Sequence, residues 1–586
     1  MFGKLKLMSL ATFLAFVSGA FAADREPTGT LPVVYINTED SKPIVEKEEK
    51  IPATIWIDAA GTDYASLGSA ETPVAFTVSG RGNYSWVGFD KKPYKVKFDS
   101  KTSVLGMPKN KTFALLAHAD DNLAFLRNAM GFELSKRMGL AWTPTQIPVE
   151  LVLNGEYRGL YFFAETIKVD KNRVNITEQD EPDELAPAGA DVTGGWLVEI
   201  DNYDSDPHVT INEPGYGDIW FTYKSPEVLS SEQETYLTNQ LQAIMDAIYV
   251  EDKNSTEWEK YIDIDAAARY YIVQEILDDC ESYHGSCYLH KDVGENSKWT
   301  FGPVWDFGNA YQRPSKDWVW QSLEFHQVWI GELCKFPRFM DKVREVWKEY
   351  AENNANFQKA YVDNYINSIR EAAKADAERW PQYGNSDPDS RASSFLGFMN
   401  NSVSWLGERL GTVVEPAQVI YLRGEFNNWG LSKQMQTTDN VTYTIYMDEL
   451  SGEFKFATED WKTIDLGTPD KTPVVPGKII QLTAAGKNIS LASPLKDCRL
   501  TLNIKDKTLL IEDKTLGIGE TLADKGITIS GRTIKCSGAI RVFDAAGTLV
   551  VSGDDCVTVA KPGCYIIQTL SADSSTKRSS VITVIK

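Results

Sequence analysis

Cationic side chains are scarce in this sequence relative to anionic ones: 60 Lys and Arg stand against 82 Asp and Glu, a formal net charge of -22. Neutralising a phosphate backbone takes a clustered positive face, and Lys and Arg occur here only in small local groups, so the balance argues against a nucleic-acid partner. Long apolar runs are missing too, except at the N-terminus. There Lys4 and Lys6 precede an apolar run over residues 7–16, and Ala20-Phe21-Ala22 gives a small-x-small cleavage pattern. This reads as a secretory signal peptide over residues 1–22, and the expected protein is exported, at the cell surface or extracellular. No other stretch approaches the roughly 18 apolar residues of a spanning helix, so no membrane-spanning segment is expected. None of the seven cysteines stands in a CxxC, which argues against a structural zinc site. No GxSxG marks a nucleophilic serine. At 586 residues one core cannot serve the whole chain, and several domains are expected.

What the chain does concentrate is acid, in residues 275–313, where seven carboxylates, two of the five histidines and two cysteines fall together. Residues 266–279 have helical spacing at Tyr270, Val273 and Leu277, so a helix delivers Asp278, Asp279 and Glu281 into a loop. Residues 287–290 and 299–305 read as strands joined by a polar turn, with Asp306 just beyond the second. Cys280 and Cys287 either close a loop around this motif or are two small buried thiols. Carboxylates brought from two elements to one place repel unless a cation compensates them, which makes Asp278, Asp279, Glu281 and Asp306 candidate ligands of magnesium or manganese.

Upstream, residues 31–36 and 51–57 read as strands. In residues 94–99 Tyr94, Val96 and Phe98 alternate with Lys95, Lys97 and Asp99, which puts both lysines on one face. With Arg81 in the preceding Arg-Gly-Asn turn, they form a candidate anion-binding group. Asp120, Asp121 and Asn122 are expected to cap a helix whose stripe is Leu126, Ala129, Leu134 and Met138, with Arg127 and Asn128 off it. Asn154-Gly155 is a favoured two-residue hairpin turn, and Glu165 ends its second strand. Mostly strands first and mostly helices later give an α+β layout of two lobes over residues 28–410. Residues 411–417, with Pro416, read as a linker. Regular short strands over 418–512 indicate a β-sandwich, and 526–586 a last all-β unit.

Five ordered blocks, RGNYSW with KKPYKVKF, LLAHADDNLAFLRNAMGFELSKRMG, VELVLNGEYRGLYFFAETI, SYHGSCYLHKD and FGPVWDFGNAY, closely resemble the CotH kinase family. The resemblance implies an atypical protein-kinase-like fold and phosphoryl transfer from ATP to protein Ser or Thr with a divalent metal. Asp306 of WDFG matches the family's metal-binding aspartate. Lys95 or Lys97 resembles the lysine on the ATP phosphates, with Glu165 as its acidic partner. Aligning on YLHKD puts the family's catalytic Asp at Glu281 and its metal-binding Asn at Ser286, two departures in residue type; another register makes Asp279 the base, with His284 five residues on. A non-catalytic, pseudokinase-like adhesion protein is the rival reading.

YLRGEFNNWG and GEFKFATEDWKTIDLG are similar to the glycogen- or starch-binding β-sandwich of glucan-branching enzymes. The similarity implies that Trp429, Lys455 and Trp461 hold an α-glucan or other polysaccharide by stacking and hydrogen bonding; the alternative is two core tryptophans. FDAAGTLVVSG, KPGCYIIQTL and the last strand resemble a type IX C-terminal sorting domain.

Overall fold

The structure is a computed structural model. It describes residues 25–179, 185–187, 189–201, 206–354, 357–412, 418–437, 441–513, 528–530, 533–544, 549–559, 563–570 and 578–585. The expected signal peptide, residues 1–22, lies outside the described residues, as do residues 413–417 of the expected linker. The chain divides into two compact units, Met1–Pro416 and Ala417–Lys586.

The first unit opens with seven strands: β1 (Val33–Thr38), β2 (Ile51–Asp58), β3 (Val74–Gly80), β4 (Tyr94–Thr102), β5 (Asn110–Leu116), β6 (Gln146–Leu153) and β7 (Glu156–Glu165). They form a closed barrel in the order β1-β2-β3-β4-β5-β7-β6, with β6 parallel to β1 at the seam. Period-two alternation fills the interior: Ile51, Ile55 and Ile57 of β2 and Tyr94, Val96 and Phe98 of β4 join one core, while Lys95 and Lys97 point outward and are exposed. Asn154 and Gly155 sit at φ 51 and 79, the two left-handed positions that a tight hairpin between β6 and β7 requires. A short helix, α1 (Tyr84–Val87), interrupts the loop from β3 to β4.

Beyond the barrel lies a sheet of β8 (Trp196–Asp201), β9 (His208–Glu213), β10 (Gly217–Ser225), β11 (Cys287–Lys291) and β12 (Thr300–Phe301), antiparallel in the order β12-β11-β8-β10-β9. The second strand expected over 299–305 pairs only at Leu289–Phe301 and His290–Thr300. Gly302, at φ 110, turns the chain and Pro303 has no amide to donate, so the ladder stops there. Helices α2 (Leu126–Arg137), α3 (Ser231–Ile248), α4 (Ile264–Leu277), α5 (Ile330–Leu333), α6 (Pro337–Asn353), α7 (Phe357–Arg379) and α8 (Pro388–Leu410) complete the unit. Ser230 and Gln233 form a capping box at the start of α3. The central helix, α4, buries Tyr270, Tyr271, Ile272, Val273, Ile276 and Leu277 and packs against α2, α6 and α8. Its core continues through Trp196, Val198 and Ile200 on one face of β8. Helix α2 begins at Leu126, later than the Asp-Asp-Asn cap suggested, because Ala124 and Phe125 adopt left-handed φ of 57 and 59. Asp121 still binds its first turn, accepting from the Arg127 amide at 2.9 Å.

In the second unit, a four-stranded sheet (Tyr421–Gly424, Phe454–Ala457, Asp465–Gly467, Thr483–Ala484) and a five-stranded one (Gln436–Thr437, Thr442–Leu450, Leu495–Asn503, Thr508–Asp513, Ile479–Gln481) enclose one core. Leu422, Phe454 and Phe456 from the first meet Tyr443, Leu500, Leu502 and Leu509 from the second there. Five further antiparallel strands between Thr528 and Ile585 bury Ile534, Ile540, Val542, Val557 and Ile567.

Candidate functional site

Two loops meet at the C-terminal end of α4. Helix α4 stops at Asp278, whose left-handed backbone (φ 51) turns Asp279 across to bridge Ala310 in the loop after β12. Asp279 is 2% exposed, and its carboxylate accepts from the Glu281 amide at 3.2 Å. Glu281 is half-buried and accepts a hydrogen bond from the Asn309 side chain. Burial, reinforced by Glu281, Asp306 and Asp278, pushes the Asp279 carboxyl well above the usual carboxylate range. Asp278 itself is neutralised by Arg313 and, at 3.3 Å, by Lys316. Lys316 also pairs at 2.6 Å with the fully buried Glu275.

Asp306, at φ 58, is exposed to solvent just past Trp305. Burial and then Asp120 raise its pKa, while His118 and Arg81 draw it down. Arg81 lies 5.3 Å over the Trp305 ring and feels Tyr288, Asp306 and Glu199. Lys95 is lowered by partial burial and by its neighbours Lys97, Lys50 and Arg81. Lys97 and Lys95 on the outer face of β4 and Arg81, just past the paired strand β3, thus form a row of cations that ends within the field of Asp306. On β8 and its neighbours, the face away from the helical core holds Glu199, which pairs with Lys224 at 2.9 Å. Burial lifts Glu199 to about 7 against the pull of Lys224.

Glu165 lies elsewhere: it accepts from the Thr145 amide at 3.0 Å and faces Arg173 at 3.7 Å, with neither Lys95 nor Lys97 as its ion-pair partner. A fully buried lysine of the first unit, Lys91, lies 2.8 Å from Asp376 of α7 and is caged at 5.1 Å by the rings of Phe125 and Tyr161. Ser286 is half-buried at φ 53 on the approach to β11. His284 stacks at 5.0 Å on Phe325, and burial lowers its pKa. Cys280 and Cys287 are both free and buried, and burial pushes the Cys287 thiol up to about 12.

Sequence reasoning missed Asp120, Asn309, Lys91 and Asp376. Asp120 reads as a capping residue, and Asn309 has no local signal. The off-stripe pair Arg127 and Asn128 was the available clue. Both are buried, and they tie the Asp120 loop to the Asp306 loop: Arg127 donates to the Ala310 carbonyl at 2.8 Å and the Asp120 carbonyl at 2.9 Å, and Asn128 accepts from the Phe307 amide at 3.1 Å.

In the second unit Trp429 and Trp461 are half-buried and lie outside the core, with ring centroids 6.1 Å apart at 44°. The Arg423 guanidinium sits 4.1 Å from the Trp461 ring, and Lys455, paired with Asp465, 6.0 Å from it.

Among the described residues no three His, Cys, Asp or Glu converge into a protein-only metal cage. Magnesium is ordinarily held by one or two carboxylates with waters and substrate phosphates, and the exposed Asp306 with the half-buried Asp120, beside Arg81, suit such a metal–phosphate pair. The first unit thus pairs an α+β fold with carboxylates that could hold a hard cation and basic side chains that could face an oxyanion. The family model for CotH kinase protein matches residues 78–406, more than half of the chain, and the chain belongs to that family. No curated protein matches it. Membership gives the chain a protein-kinase-like assignment, for which ATP and a divalent metal are the implied cofactors.

Proposed function

We propose that this protein is an exported kinase that transfers phosphate from ATP to Ser or Thr of a protein acceptor with Mg2+ or Mn2+. The observation that carries the reading is the apposition of the Asp279–Glu281 and Asp306–Asn309 loops beside Arg81 and Lys95. A bound divalent cation would neutralise charge developing on the transferred phosphoryl oxygens. Asp306 would hold it, and Arg81 with Lys95 or Lys97 would orient the phosphates. For the base, Glu281 is better suited than Asp279. It is partly open to solvent and oriented by Asn309, whereas Asp279 is buried, its carboxyl is held well above the usual carboxylate range by burial and by Glu281, and it spends an oxygen on the Glu281 amide. Asp279 then acts behind Glu281 by fixing its main chain. Purified protein should bind ATP only with magnesium and pass radiolabel to itself or a generic acceptor. Labelling unchanged in Glu281→Gln would remove that base from the mechanism.

A second function is supported by the paired tryptophans. Two half-buried indoles outside a core, underlaid by Arg423 and Lys455, are suited to stack on sugar rings, so we propose an α-glucan or related polysaccharide as the ligand of the second unit. Loss of glucan retention in Trp429→Ala and Trp461→Ala is the expected result. Should the kinase test fail while this one succeeds, the protein is a surface carbohydrate-binding pseudokinase.

A further inference from the structure

We infer that Asp120 shares the divalent cation with Asp306; this rests on the phosphoryl-transfer reading of the site. Both carboxylates crowd one face of Gly308. A Cβ built on that glycine would meet Asp120 Oδ2 at 2.2 Å and Asp306 Oδ1 at 3.3 Å. The absent side chain is therefore the space Asp120 occupies.

Its position is built rather than incidental. Arg127, 4% exposed, grips the Asp120 carbonyl at 2.9 Å and the Ala310 carbonyl at 2.8 Å, so one guanidinium sets the spacing of the two loops. Asn128 fixes the Phe307 amide next to Asp306. On the far side Asn385 donates to the Asp121 carbonyl at 2.7 Å and accepts from the Ala124 amide at 3.0 Å, holding the Asp120 loop from behind. Arg127 is committed to main-chain oxygens and to Asn122 at 3.2 Å, and its ion-pair contact is Asp121 at 3.6 Å. The fold thus holds the two carboxylates together, with Arg81 and His118 acting on Asp306 and Arg127 on Asp120. Two carboxylates are what magnesium takes from a protein when phosphates complete its shell.

The test is Mn2+ binding to the full-length protein without nucleotide, followed by calorimetry and by the paramagnetic spectrum of free Mn2+. Asp120→Asn is expected to weaken binding about tenfold or more, the scale on which even outer-shell partners act. Gly308→Ala supplies the independent arm: the new methyl must displace the short Asp120 side chain while every carboxylate remains, and the same weakening is expected. Asp170→Asn, at a surface pair with Lys101, should bind as the wild type does. Loss in Asp306→Ala with unchanged binding in both Asp120→Asn and Gly308→Ala overturns the inference and leaves the kinase reading standing. Unchanged binding in Asp306→Ala as well, or no Mn2+ binding by the wild type, overturns both.

Discussion

The two loops of the site carry non-glycine residues with left-handed backbone: Asp278 at φ 51, Asp306 at 58 and Tyr311 at 57. Each such residue costs of order 1 kcal/mol or more, and that strain persists only where the surroundings over-determine it. Here Arg313 and Lys316 hold Asp278, and the Leu277 carbonyl holds the Tyr311 amide at 3.2 Å. Asp278 and Asp306 also carry charge at the site. Glu199 gives a measurable sign of it. Its folded pKa of about 7 lies above the ordinary glutamate value of 4.5, so between these the folded state holds a proton that the unfolded state has lost. Stability contributed there is complete below the unfolded value and lost as pH rises through the folded one. We expect unfolding free energy to fall by up to about 3 kcal/mol between pH 4.5 and 7 from this group. Denaturant titrations of Glu199→Gln should show a flatter profile across that window; an unaltered slope would mean Glu199 is ionised throughout.

At the scale of elements, the barrel and helix α7 are joined by a buried ion pair. Asp376 accepts from the Leu160 amide of β7 at 2.9 Å and meets Lys91 at 2.8 Å, and a Cβ on Gly159, at φ 98, would lie 2.2 Å from its carboxylate. Removing one partner strands a charge in the interior. Asp376→Asn is expected to cost roughly 3 to 5 kcal/mol, read from urea unfolding, and Lys91→Met with Asp376→Leu to recover part of that loss. Equal losses in the single and double variants would contradict the assignment. This element also marks the limit of what local sequence carries. The alternation of β4, the Asn154-Gly155 hairpin, the stripe of α2 and the delivery of Asp279 from α4 follow from spacing within a few residues. Barrel closure depends on β1 lying parallel to β6, a pairing over a hundred residues apart that no local period encodes. Lys91 sits among three other lysines in KKPYKVK, and only the fold singles it out for burial. Asp120 has the composition of a helix cap, and its approach to Asp306 depends on Arg127 reaching across to Ala310.

On the scale of the whole molecule, the two units have separate cores, and each carries its own candidate site. Their functions should therefore separate by mutation. In full-length protein, Trp429→Ala with Trp461→Ala should abolish retention on glucan and leave Mn2+ and ATP affinity within about twofold, as expected for independent sites. A parallel loss of nucleotide binding would show that the second unit contributes to the first unit's site.

The most direct measurement of the central claim is ATP binding by purified full-length protein with and without magnesium, wild type against Asp306→Ala, followed by transfer of the labelled γ-phosphate. The account predicts binding that requires magnesium, transfer of label to protein, and loss of both in Asp306→Ala with the fold retained. ATP binding that ignores magnesium and is the same in Asp306→Ala would contradict it.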